Sequence, residues 1–227
     1  MVEQSKKQQS HKQENLYRLA AGVTTFSVRD PDPQAVDGGR VLGVRFEVCT
    51  NGKYLRPYYV LLNKPYADSS RFRVHRHTVP PCIALAELAA KHLPGRKTGV
   101  SVEKSEAQAK KQNFVRFVRL LRREIMNYHY RVSAISSLRK AFRLDRKNDS
   151  GKGKERELVM RDISAADAEA KHVTLEWADG KIGRMVLNEK SGIVNCAVMS
   201  SGVREKAIER EITAHQGSLD GLVNILS

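Results

Sequence analysis

Apolar side chains in the middle of the chain recur at the spacing of an α-helix. From residue 114 to residue 142 they step by three or four positions, in the series Phe114, Val118, Leu121, Ile125, Tyr128, Val132, Ile135, Leu138 and Phe142. Residues three and four apart lie on one side of a helix, so the series predicts a long amphipathic helix. At ~1.5 Å per residue it is roughly 45 Å long, more than one small sheet can cover. We expect it to pack on its own domain, to bridge two domains or to offer a seam to a partner.

The preceding residues alternate between apolar and polar, which is typical of strands. Val44, Phe46 and Val48 are separated by polar residues, and Asn51-Gly52 is a typical two-residue hairpin turn. Prolines end elements, because each pushes its predecessor out of the helical region. In chain order we expect a short helix from about Leu16 that ends at Asp30-Pro31-Asp32-Pro33, strands over 41–49, 54–62 and 72–79, and a helix over 83–93.

A second set of alternating segments follows the long helix. Strands are expected over 173–177, 184–188 and 194–199, separated by turns at Asp179-Gly180 and Ser191-Gly192, with a last helix over 203–215. Strands followed by a helix, twice, predict an α+β fold with two units. The predicted organisation is a polar tail over 1–13, a first module with its linker over 14–111, the long helix over 112–142, a flexible basic loop over 143–162, and a second, shorter module over 163–227.

Charge adds a possible partner class. The chain has 40 Lys and Arg against 25 Asp and Glu, a net charge of +15, and residues 104–156 alone carry 16 basic and 5 acidic residues. Such a stretch attracts polyanions or is simply a solvated helix face. The candidate nucleic-acid contacts are Arg116, Arg119, Arg122, Arg123, Arg139 and Lys140. Aromatic residues make up only 6% and no DNA-binding motif is recognised, so any such contact is expected to be sequence-neutral.

Candidate chemistry is sparse. His75, His77 and Cys82 could begin a zinc site, but a fourth ligand is missing nearby, and alternation is also what exposed strand residues show. Residues 150–154 lack the spacing of a phosphate loop, and no catalytic fingerprint is present. The sequence therefore predicts no enzyme and no cofactor, although a thioester role for Cys82 remains an alternative. Three cysteines far apart indicate reduced thiols in an intracellular protein, and no apolar run approaches the length of a membrane span.

Several motifs resemble those of one family, the centromere protein O (CENP-O) family. They are the stretches Leu42–Val48, Pro57–Leu62, Val74–Pro81, Leu88–Pro94 and Phe114–Glu124, followed by Tyr128–Arg131. The resemblance covers roughly residues 40–142 in the correct order. Family members usually carry a longer amino-terminal coiled-coil segment, and the second unit is short for the module that the family uses.

The resemblance implies two tandem RWD-like modules, each a sheet backed by helices, joined by the long amphipathic helix. It implies a non-catalytic inner-kinetochore subunit in the nucleus, paired with a CENP-P-like protein and assembled with CENP-Q-like and CENP-U-like proteins, the COMA complex of yeasts. A permanent dimer needs an interface with an apolar centre. The candidate partner-binding residues are Phe114, Phe117, Leu121, Ile125, Tyr128 and Val132, for which burial within the same chain is the alternative.

Overall fold

The computed structural model describes residues 2–65, 70–95, 111–145 and 159–214. The chain divides into two compact units, Met1–Ile125 and Met126–Ser227. Both combine helices with an antiparallel sheet, so the predicted α+β class is confirmed. Much of the predicted linker, residues 96–110, and of the predicted basic loop, residues 146–158, lies outside the described residues. The predicted domain boundaries stay a prediction.

The first unit begins with helix α1, Val2–Ala21. Its residues are mainly Gln, Lys, Glu and Ser without Pro or Gly, so the segment predicted as a polar tail is compatible with a helix and is mostly helical. Gly22 has a positive φ of 65° and ends α1. Strand β1, Val23–Arg29, follows, so the prediction that the helix continues to the prolines is wrong. The β-branched and aromatic residues of this stretch favour a strand.

The further strands of the first unit are β2 (Arg40–Phe46), β3 (Cys49–Thr50), β4 (Lys53–Tyr54), β5 (Tyr58–Asn63) and β6 (Arg73–His77). Four strands form its sheet, in the order β1-β2-β5-β6, with all neighbours antiparallel, and β3 pairs with β4 in a small hairpin. Asn51 and Gly52 both have positive φ, 50° and 72°, which confirms the predicted two-residue turn. Helix α2, Leu85–His92, confirms the predicted helix after the prolines.

One face of this sheet is the core of the first unit. Val44 on β2 is directly opposite Val60 on β5. Phe46 and Leu62 follow them by two residues on their own strands, and all four side chains are at most 1% exposed. Since alternate strand residues point to opposite faces, these side chains share one face. Gly43 lies on the other face, where a Cβ atom would come within 2.3 Å of the Phe26 ring, so the aromatic ring needs a glycine beneath it.

Helix α3, Phe114–Ala141, begins in the first unit and ends in the second. The second unit continues with strands β7 (Met160–Ala165), β8 (His172–Trp177), β9 (Ile182–Leu187), β10 (Ile193–Ser200) and β11 (Val203–Arg204), and with helix α4 (Lys206–Ala214). The five strands form an antiparallel sheet in the order β11-β10-β9-β8-β7. Strands β8, β9 and β10 were predicted. Strand β7 starts inside the predicted loop, and β11 occupies the predicted start of the last helix.

The core of the second unit brings helix and sheet together. Ile135 and Leu138 of α3 belong to the same buried cluster as Val173 and Leu175 of β8 and Ile212 of α4. Leu175 and Ile212 are completely buried. Burying a Leu or Ile side chain stabilises a fold by about 1.5–3 kcal/mol, so this cluster is the main stabilising feature of the unit.

Charged side chains tie the loop after β1 to strand β6. The Asp30 N–H donates to the carbonyl of Gly39 (2.8 Å), and Asp30 Oδ2 lies 3.3 Å from His75 Nε2. Arg76 pairs with Asp32. The backbone N–H of Gln34 and the Arg76 guanidinium lower the pKa of Asp32. The motif that the sequence identified only as a helix break therefore fixes the conformation of this loop.

We expect Gly39→Ala to destabilise the protein more than Gly38→Ala. Both residues have positive φ, 81° and 61°, so alanine is strained at either position, at about 1 kcal/mol. A Cβ atom at Gly39 would also lie 2.3 Å from the backbone oxygen of Asp30, whereas nothing lies within 4 Å at Gly38. Forcing the backbone apart is expected to cost roughly 2 kcal/mol more.

The free energy of unfolding in urea is measured for both alanine variants. It separates the cost of the backbone strain, which both variants have, from the cost of the close contact with Asp30, which only Gly39→Ala has. Gly38→Ala is the control, since it carries only the backbone strain. Equal losses for the two variants would show that the loop does not close on Asp30 in this way.

A buried carboxylate joins helix α4 to strand β10 in the second unit. One oxygen of Glu209 in α4 accepts the backbone N–H of Val198 in β10 (3.0 Å) and Nε–H of Arg204 (2.7 Å). Arg204, followed by the Val198 amide, lowers the pKa of Glu209. The same carboxylate and, above all, burial raise the pKa of the neighbouring Cys196 thiol to about 11. Glu209 therefore satisfies a strand amide that has no acceptor in the ladder at that point.

We expect Glu209 to stabilise the fold at neutral pH and to lose that effect in acid. Its pKa is lowered by folding, so its contribution is complete above the unfolded-state pKa of about 4.3 and disappears as the pH falls through the lower folded-state value. The melting-temperature difference between the parent protein and Glu209→Gln should be largest at neutral pH and should close on acidification towards pH 3.

The matched control is Glu211→Gln on an exposed position of the same helix, for which we expect a small difference at every pH. A melting-temperature gap for Glu209→Gln that stays constant between pH 7 and pH 3 would contradict the assignment.

Candidate interaction surfaces

Three of the apolar partner-binding candidates on α3 are core residues of the first unit. Phe117 and Leu121 are 0% exposed and Ile125 is 1% exposed. They are spaced by four residues and therefore line one face of the helix. Side chains without exposed surface offer nothing to a partner in this conformation, so burial within the chain is the observed state of these three.

The other three candidates keep some accessible surface. Phe114 and Tyr128 are half-buried, and Val132 is 40% exposed. Tyr128 and Val132 are four residues apart, so they are neighbours on one helix face. Tyr128 also follows Ile125 by three residues, so this pair differs from the buried candidates in its exposure, because the buried positions change along the helix.

Beyond residue 126 the helix buries a different series of positions. Asn127, Arg131, Ile135 and Leu138 are each at most 8% exposed, whereas the predicted stripe would bury Tyr128 and Val132. Arg131 is 4% exposed, and its Nε–H donates to the carbonyl of Glu169 at 2.9 Å. Sequence periodicity predicted Ile135 and Leu138 but missed Asn127 and Arg131, since polar residues do not belong to the apolar pattern that it follows.

The amino end of α3 is fixed by polar and aromatic contacts. The Gln112 side chain accepts the N–H of Phe72 (2.8 Å) and donates to its carbonyl (2.9 Å), as an added strand residue would. The rings of Phe72 and Phe114 have centroids 5.5 Å apart. Asn113 Oδ1 accepts the N–H of Arg116 at 2.9 Å, which is an amino-terminal cap. Phe114 is therefore partly used inside the first unit.

The basic candidates fall into two groups. Those at exposed positions of α3 are Arg116, Arg119, Arg122, Arg123 and Lys140. Arg123 forms an ion pair, at 3.4 Å, with its neighbour Glu124. Arg116, Arg119 and Arg123 follow each other at intervals of three and four, so they form one cationic ridge on the helix.

Arg139 does not belong to this ridge. Its Nε–H donates to Asp145 (2.9 Å), and Nη1 donates to Asp162 (2.6 Å) and to the carbonyl of Ile163 (2.5 Å). These carboxylates, Asp162 first, raise the pKa of Arg139. A guanidinium held by two carboxylates and a carbonyl joins α3 to β7 and is not available to phosphate groups.

The proposed beginnings of a metal site are not assembled. Across residues 2–65, 70–95, 111–145 and 159–214, no group of three or more His, Cys, Asp and Glu side chains is placed to hold a metal ion. The His75 side chain is 5% exposed and contacts Asp30, whereas His77 is exposed. His75 therefore has a structural partner within its own unit.

Burial also affects a histidine whose carbonyl accepts the N–H of Asn113 at the start of α3. Burial, then the positive charges of Arg116 and Lys91, lower the pKa of His92, so this imidazole is neutral at physiological pH. Cys49 and Cys82 are half-buried thiols.

Within the described part of the chain, no helix is long and apolar enough to cross a membrane.

Comparison with known protein families supports the resemblance seen in the sequence. The family described as "Cenp-O kinetochore centromere component" matches residues 23–226, which include most of both units. A search of individual curated proteins gave no significant match. The match extends far beyond residues 40–142, on which the sequence resemblance rested, and confirms it. The chain therefore belongs to the CENP-O family and is a component of the kinetochore, at the centromere in the nucleus.

Proposed function

We propose that this chain is a non-catalytic structural subunit of the inner kinetochore that forms a heterodimer with a CENP-P-like protein. Through CENP-Q-like and CENP-U-like proteins, the dimer would help to assemble the constitutive centromere-associated network for chromosome segregation. The observation that carries the proposal is the family match over residues 23–226. The architecture would be two RWD-like modules, approximately 14–111 and 163–227, joined by a long amphipathic helix over 112–142.

Two further observations support this proposal. Each unit has an antiparallel sheet with helices, as a tandem-module protein would. Apolar side chains outside the buried core remain accessible on α3, and Val132 is one of them, at 40% exposed. An accessible valine next to a half-buried tyrosine suits the apolar centre of a permanent interface.

We expect the chain to form a one-to-one complex when it is co-expressed with the CENP-P-like protein of the same organism. Size-exclusion chromatography with light scattering measures the mass of the complex and of the chain alone. A well-behaved monomer that does not associate with that protein would contradict the proposed heterodimer.

We expect Val132→Glu to weaken this complex at least tenfold, about 1.4 kcal/mol, without unfolding the protein. A charge at an apolar interface centre must be desolvated, while an exposed position tolerates it in the free protein. The control is Tyr130→Glu, because Tyr130 is also exposed on α3, at 47%, but points to another side of the helix. Equal effects of both variants on affinity would exclude this face as the contact.

Sequence-neutral DNA binding is a second candidate function, favoured by the exposed ridge Arg116, Arg119 and Arg123. Each neutralised phosphate releases counterions, so affinity for a short duplex should fall steeply with salt. We expect the triple Arg→Glu variant of the ridge to abolish binding and its salt dependence.

The matched control reverses three exposed basic residues elsewhere, Lys53, Arg56 and Lys190, and so changes the net charge equally. If this control loses DNA binding to the same extent, total charge and not the ridge is responsible. Fluorescence anisotropy of a labelled duplex at several salt concentrations gives the affinity for DNA and its salt dependence.

A further inference from the structure

Strand β1 leaves one side of the first sheet open. It is the terminal strand in the order β1-β2-β5-β6, and among the described residues only β2 pairs with it. Its pairing with β2 runs without a bulge from Val23, opposite Phe46, to Arg29, opposite Arg40. A regular strand at a sheet edge presents a row of backbone donors and acceptors to any strand that approaches it.

The register shows which backbone groups point to that open edge. At one end of β1, the backbone N–H of Glu47 donates to the carbonyl of Gly22 (2.9 Å), and at the other end the N–H of Asp30 donates to the carbonyl of Gly39 (2.8 Å). Each of these bonds joins two residues that are directly opposite each other when the β1–β2 register is extended by one residue. Directly opposite pairs alternate between hydrogen-bonded and non-hydrogen-bonded. The even-numbered residues of β1 therefore bond to β2. The N–H and C=O groups of Val23, Thr25, Ser27 and Arg29 point outward.

The opposite edge of the same sheet is protected, whereas β1 is not. Strand β6 has an irregularity in its pairing with β5 between Leu61 and Leu62, and it carries Arg73, Arg76 and two histidines within five residues. Bulges and charged side chains are the usual devices that prevent strand addition. Strand β1 has the sequence Val-Thr-Thr-Phe-Ser-Val-Arg, with one charged residue at its end and without proline or a bulge.

The surroundings of β1 indicate the side chains that an added strand would carry. On the outer face of the sheet, Phe26 and Tyr59 pack edge to face with centroids 6.1 Å apart, beside a groove of 420 Å³ that Tyr17 of α1 also lines. Phe26 and Val28 are on this face, and Val28 is 38% exposed. Apolar side chains at alternate positions of the added strand would cover them.

Charge selects the partner further. Arg29 and Arg40 are directly opposite at the end of the β1–β2 pair, where like charges are unfavourable. The Nε–H of Arg29 donates to the carbonyl of Gly38 (3.1 Å), which fixes the position of the side chain. A carbonyl carries no net charge, so this hydrogen bond does not neutralise the guanidinium. An acidic residue next to Arg29 would relieve the repulsion. A second copy of this chain is disfavoured, because each copy carries a net charge of +15.

We infer that the free edge of β1 binds an extended segment of a partner protein as an additional antiparallel strand. The segment has apolar residues at alternate positions beside Val28, Phe26 and Thr24 and an acidic residue beside Arg29. The inference deepens the proposed scaffold function, since it locates one partner contact, but it does not require that the partner be a CENP-P-like protein.

The test uses the full chain and a synthetic peptide designed for this edge, acetyl-Glu-Val-Thr-Ile-Thr-Val-Thr-amide. In antiparallel orientation its glutamate is placed beside Arg29, and its Val, Ile and Val beside Val28, Phe26 and Thr24. Residue-resolved hydrogen exchange should show the amides of Val23, Thr25, Ser27 and Arg29 slowing at least tenfold at saturating peptide.

The variants separate backbone pairing from other binding. Ser27→Pro removes an outward N–H and should abolish the slowing, while Ser27→Ala removes the same hydroxyl, keeps the N–H and should preserve it. A peptide with Lys in place of Glu should bind at least fivefold more weakly.

No slowing of these amides at 1 mM peptide, or slowing that is equal in Ser27→Pro and Ser27→Ala, overturns the inference. Self-association of the chain through β1, seen by light scattering and abolished by Ser27→Pro, overturns the choice of a foreign partner. Failure to form the one-to-one complex with the CENP-P-like protein is a separate result and bears only on the proposed function.

Discussion

Helix α3 carries two different buried faces, and the availability of every other residue on it depends on this constraint. A helix has 3.6 residues per turn, so positions separated by four stay on nearly the same face. Phe117, Leu121 and Ile125 follow that spacing in the first unit. The series in the second unit restarts at Asn127 and continues through Arg131. Positions that fall in neither series, such as Val132 and the arginine ridge, are what remains for partners.

Sequence reasoning identified elements well where one physical signal dominates. The dipeptide Asn51-Gly52 predicted the hairpin because both residue types tolerate positive φ, which both adopt in the structure. Alternation of apolar and polar residues predicted β8, β9 and β10. Strand β1 was missed because a helix periodicity near Leu16 was extended past Gly22, although a glycine followed by Val-Thr-Thr-Phe was the signal for a change of structure. Local pattern identifies an element more reliably than the point where it ends.

The candidate sites were harder to predict than the elements, because a pattern shows which face is apolar and not what covers it. Periodicity assigned Leu121 and Val132 to one stripe, yet one is 0% and the other 40% exposed. Composition likewise counted Arg139 with the free cations, although two carboxylates that lie 6 and 23 residues further along the chain hold it. Such contacts depend on tertiary structure, which a charge count does not include.

The Glu209 carboxylate, which joins α4 to β10, also affects the chemistry of the neighbouring Cys196 thiol. Cys196 is 3% exposed, and its thiol has a pKa of about 11, so almost none of it is thiolate at neutral pH. Thiol reagents react with the thiolate, and they need access to the sulfur. Labelling of Cys196 by a maleimide would therefore follow the opening of the second unit, and this cysteine is a built-in reporter of local unfolding that needs no engineered probe.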